Sequence, residues 1–152
     1  LFRSGGVLIY NKGYVMWIHE KDVDLKNDEL KDYKFYCFNG KVKMCGIYSD
    51  RNSEKRTKAD YYDRDFNWID MTWGYERTKK KITHKPEFFE EMIEIAEKLS
   101  ENISHVRVDL YCSQNAVYFG ELTFYDGSGF DRIDPLEWDQ KMGEYITLET
   151  LR

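Results

Sequence analysis

The dipeptide Asn39-Gly40 stands between two runs of strand-forming residues, YKFYCF (33–38) and KVKMCGIY (41–48). An Asn-Gly pair in this setting constrains the backbone more than any other short stretch of the chain. A two-residue type I′ turn needs positive φ at both positions, and Asn and Gly tolerate it best. The spacing predicts an antiparallel hairpin. A second hairpin is read from VRVDLYCSQNAVYFGELTF (106–124), two alternating runs around a short polar turn, and a further one from VLIY (7–10) and YVMWI (14–18) around Asn11-Lys12-Gly13.

The second hairpin can be taken to the level of register. Val106, Val108 and Leu110 share one strand face, with His105, Arg107, Asp109 and Tyr111 on the other. In the returning strand Tyr118, Gly120, Leu122 and Phe124 are expected on one face, with Phe119, Glu121 and Thr123 opposite. Paired residues point the same way, so the apolar faces coincide only if paired numbers sum to an even value. A three-residue turn, Gln114 to Ala116, then sets Val108 beside Leu122, Asp109 beside Glu121 and Arg107 beside Thr123. Opposed side chains have Cβ atoms roughly 4.5 to 5.5 Å apart, and like charges there destabilise the pair. Two readings relieve the repulsion. Either the pair faces solvent and Arg107 neutralises it, or a divalent cation with oxygen ligands, such as Mg²⁺, sits between the carboxylates.

One long helix is predicted from PEFFEEMIEIAEKLSEN, with Pro86 at a first-turn position that needs no amide donor. Phe88, Met92, Ile95 and Leu99, joined by Phe89 and Ala96, form its apolar stripe, and Glu87, Glu90, Glu94 and Glu97 its solvated side. A last helical segment is expected from Pro135 to about Tyr145. The charged run 22–32 and the polar run 49–65 are read as connections, followed by a short strand or turn around Phe66 to Met71. Hairpins flanking an amphipathic helix make the class α+β, an antiparallel sheet packed against a helix.

At 152 residues, 41% hydrophobic, the chain suits one ordered domain. The net charge of -5 argues against a nucleic-acid partner, since phosphate binding needs a concentrated basic surface. Cys37, Cys45 and Cys112 are odd in number and lack CxxC spacing, which fits free thiols in a reducing cytoplasm rather than zinc or disulfides. No apolar run approaches the roughly 20 residues of a membrane span, and no signal-peptide core opens the chain. A soluble, cytoplasmic protein is expected, of unassigned oligomeric state. Leu1 stands where Met would open a complete chain, which suggests a fragment or a processed product.

Several segments, taken in order, resemble one family. DYKFYCFNGKVK, the arginine-containing loop with YYDRDFNW, KPEFFEEMIEIAEKLS, VRVDLY and YFGELTFYDGSGF are similar to the C-terminal half of the TupA-like (teichuronopeptide-biosynthesis) ATP-grasp proteins, over about Glu20 to Leu148. ATP-grasp enzymes join a carboxylate to an amine through an acyl-phosphate at the cost of ATP. The resemblance implies that Asp109 and Glu121 hold the Mg²⁺ that bridges the ATP phosphates, with Thr123 where the wider superfamily has an asparagine ligand. It implies that Arg107 stabilises charge on the transferring phosphoryl group. Asp32 and Lys34 fall on the nucleotide-facing strand, Asp32 at the ribose, and Glu20 marks the adenine hinge.

Each residue also has an ordinary reading: Lys34 as a solvent-facing strand residue, Glu20, Arg51 and Arg56 as exposed loop charges, His105 as a strand-end cap, and the Ser128 glycine loop as a turn. The resemblance weakens at the N-terminus. Only Arg3-Ser4-Gly5-Gly6 matches the glycine-rich loop that covers the phosphates, and the helical segment expected before Glu20 is missing. The expectation is therefore a single, incomplete ATP-grasp domain, truncated at its N-terminus, with 1–19 a poorly matching remnant and 20–148 the C-terminal subdomain. Its expected function is an ATP- and Mg²⁺-dependent ligase of cell-surface polysaccharide biosynthesis, acting on a carboxylate-bearing saccharide or amino acid. The alternatives are a non-catalytic nucleotide- or sugar-binding remnant, with Trp68, Trp73 and Tyr75 stacking on sugar rings, or one of the relatives labelled glycosyltransferases.

Overall fold

The computed structural model describes residues 6–11, 14–19, 31–49, 57–78, 81–113 and 116–147. Its frame is one antiparallel sheet. In chain order the strands are β1 (Gly6–Asn11), β2 (Tyr14–His19), β3 (Lys31–Phe38), β4 (Lys41–Ser49), β5 (Lys58–Asp63), β6 (Trp68–Ile69), β7 (Thr72–Trp73), β8 (His105–Ser113), β9 (Ala116–Thr123) and β10 (Ile133–Asp134). Two helices, α1 (Phe89–Leu99) and α2 (Leu136–Glu144), complete the fold. Eight strands pair in the order β2-β1-β9-β8-β3-β4-β5-β6, and β7 pairs separately with β10. The class is α+β, as the hairpin pattern requires.

The Asn39-Gly40 turn forms as expected, with φ of 50° and 72°. It joins β3 to β4, and β3 also pairs along its whole length with β8. The two hairpins therefore lie edge to edge in the middle of the sheet. Period-two alternation sends Tyr33, Phe35 and Cys37 to one face with Val106, Val108 and Leu110, where Phe89, Met92, Ile93 and Ala96 of α1 cover them. On the opposite face Tyr36, Phe38, Met44, Tyr48 and Tyr61 form a second cluster with Met142 of α2, flanked by Trp73 and Trp138. That second cluster takes in Tyr36 and Phe38 of β3 but no residue of β8 or β9.

Four boundaries differ from the sequence reading. Helix α1 begins at Phe89, after a turn in which the Phe89 amide donates to Pro86 O, so Pro86 precedes the helix rather than opening it. Its buried stripe is centred on Phe89, Met92, Ile93 and Ala96, while Leu99 is 37% exposed. The stripe is rotated because the sheet, not the helix pattern alone, selects the contact line. Within 49–65, read as loop, KADYYD forms β5 and buries Ala59, Tyr61 and Tyr62. The charges at Lys58, Asp60 and Asp63 masked a strand that buries Ala59, Tyr61 and Tyr62. Asp32, assigned to a solvated connection, lies in β3 and is buried.

The fourth difference lies beside the predicted carboxylate pair. Arg107, Val108 and Asp109 oppose Thr123, Leu122 and Glu121, as the even-sum rule demands. Beyond Asp109 the register shifts, and Leu110 opposes Phe119, Tyr111 opposes Tyr118, and Ser113 opposes Ala116. Gly120 is thus the extra residue of a β-bulge, and the return strand starts at Ala116, one residue earlier than the expected three-residue turn would allow. The bulge moves Phe119 to the core face, where it packs against the α1 cluster, and sends Tyr118 to the face of Tyr111. A Cβ on Gly120 would lie 2.7 Å from Tyr111 Cε2 and 3.1 Å from the Asp109 carbonyl oxygen. Close approach, not positive φ, is what requires glycine here.

Candidate functional site

Three neighbouring strands set two rows of side chains on the sheet face opposite α1. Lys34 of β3 opposes Asp109 of β8, which opposes Glu121 of β9; Tyr36 opposes Arg107, which opposes Thr123. Alternation then adds Asp32 two residues before Lys34. Lys34, Arg107, Asp109 and Glu121 form part of the wall of a cavity of about 440 Å³, which Tyr48, Trp73, Tyr75, Tyr111 and the turn at Asp126-Gly127 help to enclose.

Arg107 is the hub. Its Nε donates to Asp109 Oδ1 at 2.6 Å and its Nη2 to Asp109 Oδ2 at 2.8 Å, the forked geometry a guanidinium offers a carboxylate. Nη2 also donates to Glu121 Oε1 at 2.9 Å and to Thr123 Oγ1 at 3.0 Å, and Nη1 donates to Asp126 Oδ1. The Thr123 hydroxyl donates in turn to Glu121 Oε1 at 2.7 Å. Lys34 Nζ donates to Asp109 Oδ2, lies 3.2 Å from Asp32 Oδ2 and sits 5.0 Å above the Tyr48 ring. Asp109 and Arg107 are 1% and 7% exposed, whereas the Glu121 side chain is 62% exposed. Burial alone would weaken the charge on Arg107, but the hydrogen bonds and charge of Asp109, with the charge of Asp126, hold its pKa well above the ordinary value.

The structure therefore brings Asp32, Lys34, Arg107, Asp109, Glu121 and Thr123 into one cluster. Glu20, Arg51 and Arg56 lie outside the described residues. His105 stands apart from the cluster, its Nδ1 3.1 Å from Cys37 O and its ring tilted by 32° against Phe38 with centroids 4.5 Å apart. Two members were not singled out from sequence. Asp126 closes the cluster from the turn after β9, and Tyr36 donates to Asp126 Oδ2 at 2.9 Å. The Tyr36 hydroxyl is 3.4 Å from that of Tyr48, which is 3.3 Å from that of Tyr61, whose hydroxyl donates to Trp73 O at 3.2 Å. Burial pushes the Tyr48 phenol up to about 12 and raises the Tyr36 and Tyr61 phenols well above their ordinary value, so all three remain neutral donors near neutral pH. Tyr36 was legible in principle, because strand period places it on the face of Asp32 and Lys34. Asp126 carried no signal beyond opening an Asp-Gly-Ser-Gly turn.

The donor set can be weighed against a divalent cation. Asp32, Asp109, Glu121 and Asp126 supply four carboxylates against two cations, Lys34 and Arg107, leaving a formal excess of two negative charges in the cluster. Oxygen donors with that excess fit Mg²⁺ in type and in charge. Among the described residues no group of three or more His, Cys, Asp or Glu is gathered in metal-ligating geometry. The reason is visible in the contacts: Arg107 already bridges Asp109 and Glu121. Of the two ways of relieving the carboxylate pair, the geometry displays neutralisation by Arg107, with Lys34 assisting. Trp73 packs on Tyr36 with centroids 4.8 Å apart, and Tyr75, 44% exposed, stands edge-on to Tyr48. Trp68 lies away from the cavity beneath Lys81.

Neither curated proteins nor solved structures include a significant match to the chain. No described helix is long and apolar enough to cross a membrane. A family model described as TupA-like ATPgrasp matches residues 7–147, which takes in the sheet from the second residue of β1 onward, both helices and every described residue of the cluster. With nearly its full length matched, the chain belongs to the TupA-like ATP-grasp family.

Proposed function

We propose that this chain acts as an ATP- and Mg²⁺-dependent carboxylate–amine ligase in cell-surface polysaccharide biosynthesis, in the cytoplasm, with residues 20–148 as the C-terminal subdomain of its ATP-grasp site. Family membership supports the ligase-like class and the use of ATP and Mg²⁺ in general. One observation carries the reading to particular residues: Asp109 and Glu121 face each other across adjoining strands, with Arg107 touching both, on the wall of a cavity large enough for part of a nucleotide.

In the proposed reaction a substrate carboxylate oxygen attacks the γ-phosphorus of ATP, the bond to the bridging oxygen breaks, and ADP leaves with that electron pair. An amine then attacks the acyl carbon of the acyl-phosphate, phosphate departs, and the amine proton is lost to solvent or a base. Bound Mg²⁺, held by Asp109, Glu121 and Thr123, would neutralise phosphate charge. Arg107 supplies fixed positive charge for the phosphoryl oxygens, which is worth most in a site that excludes water. Lys34, buried against Asp109, offers an ammonium to a phosphate, and Asp32 takes the ribose hydroxyls. Glu20 is retained as the adenine-hinge residue. Asp126 and Tyr36 hold Arg107 at the cavity wall.

A second reading, a non-catalytic nucleotide- or sugar-binding remnant, is favoured by the engagement of both Asp109 oxygens by protein cations. Calorimetric titration with Mg-ATP separates the two. The ligase reading expects saturable binding that depends on Mg²⁺ and weakens at least about tenfold in Glu121→Gln, a change at an exposed side chain that leaves the core intact. Binding unaffected by Mg²⁺ removal and by Glu121→Gln contradicts it.

A further inference from the structure

Nη2 of Arg107 contacts Asp109 Oδ2, Glu121 Oε1 and Thr123 Oγ1 at 2.8, 2.9 and 3.0 Å. These are the three side chains assigned to the metal in the proposed function, on which this inference rests. A divalent ion and a guanidinium cannot share the same oxygens, because two positive groups at contact repel strongly in a partly buried site. Nor can Arg107 simply leave. Without it, buried Asp109 keeps Lys34 as its one ion-pair partner among the described residues, and the exposed Glu121 loses the group that offsets its cross-strand neighbour.

The position must therefore pass from one cation to another. A polyphosphate is suited to bring that about, since its oxygens can accept the guanidinium while its charge favours the incoming metal. Asp126 keeps the exchange local. It holds Nη1 from the opposite side and is itself fixed by the Tyr36 hydroxyl, so the guanidinium has an anchor outside the metal ligands.

We infer that Arg107 is a stand-in cation: it occupies the Asp109, Glu121 and Thr123 oxygens until a nucleotide phosphate takes it, so that divalent-ion binding and nucleotide binding are positively coupled. Arg107 thereby acts as a positioning residue for the metal as well as a phosphate contact, and Asp126 as a positioning residue for Arg107.

The test uses Mn²⁺ as probe, read by electron paramagnetic resonance and water-proton relaxation, with a non-hydrolysable ATP analogue. For the wild type, nucleotide should tighten Mn²⁺ binding about ten- to a hundredfold beyond the contribution of free nucleotide. Arg107→Met should bind Mn²⁺ alone at least about tenfold more tightly than the wild type and lose most of the coupling. Arg107→Lys is measured beside it, because one ammonium can neutralise Asp109 without forking to Glu121; it should give an intermediate gain, with folding verified by thermal melts.

Wild type that binds Mn²⁺ alone as tightly as both variants, while still binding nucleotide, overturns the stand-in role and leaves the ligase reading standing. Absence of both metal and nucleotide binding in a folded wild type removes the ligase reading, and the inference with it.

Discussion

Replacing Gly120 with alanine tests the link between the bulge and the carboxylate face. The new methyl would lie 2.7 Å from Tyr111 Cε2 and 3.1 Å from the Asp109 carbonyl oxygen. Carbon atoms in contact prefer roughly 3.5 to 4.0 Å, so the ring must retreat by about 1 Å and the β8 backbone by a few tenths. The ring is half-buried and can swing, but the carbonyl belongs to Asp109, whose side chain is pinned by Arg107 and Lys34. Overpacking of this kind costs about 1–3 kcal/mol. For a chain of this length each kcal/mol lowers Tm by about 2–4 °C. Gly120→Ala should therefore melt at least about 2 °C lower, and the calorimetric Mg-ATP response should weaken with it. Gly120→Ala indistinguishable from wild type in both urea unfolding and nucleotide titration would refute the claim that the bulge sets the position of Asp109.

Phe89→Ala should cost about 3–5 kcal/mol in urea unfolding, because Phe89 is fully buried against Phe35 and Phe66, whereas Leu99→Ala on the exposed side of α1 should cost under about 0.5 kcal/mol. Equal losses would contradict the rotated stripe. Tyr36→Phe removes a buried donor to Asp126 and should destabilise by about 1–2 kcal/mol, with nucleotide affinity falling more than thermal stability if Asp126 positions Arg107. Burial holds His105 below its ordinary pKa, so the unfolded chain takes up a proton that the folded chain resists. Stability is fully present above about pH 6.5 and falls as pH drops below it, and His105→Gln should flatten that part of a melting profile measured from pH 7.5 to 5.5.

The parts of the fold that declared themselves in sequence are those fixed by local rules. Asn39-Gly40 forces its turn whatever surrounds it, and alternation in 106–110 and 121–123 sets the register that brings Asp109 opposite Glu121. The parts that stayed hidden depend on distant partners. β5 looked like loop because Lys58, Asp60 and Asp63 break up a short run of apolar residues, and its pairing with β4 and β6 makes it a strand. The Gly120 bulge is set by the Tyr111 ring and the Asp109 carbonyl, neither of which alternation can foresee. Within the candidate site, Lys34, Arg107, Asp109, Glu121 and Thr123 shared faces that period two predicts. Asp126 reaches Arg107 across a turn, a contact that no spacing rule encodes.

The most direct test of the account is a crystal structure of the chain with Mg²⁺ and a non-hydrolysable ATP analogue. The account predicts a metal ion coordinated by Asp109 and Glu121 at about 2.0–2.1 Å, with the Arg107 guanidinium turned to a phosphate oxygen. A nucleotide bound elsewhere, or bound with the Arg107 fork to Asp109 and Glu121 unchanged and no metal between them, would contradict it.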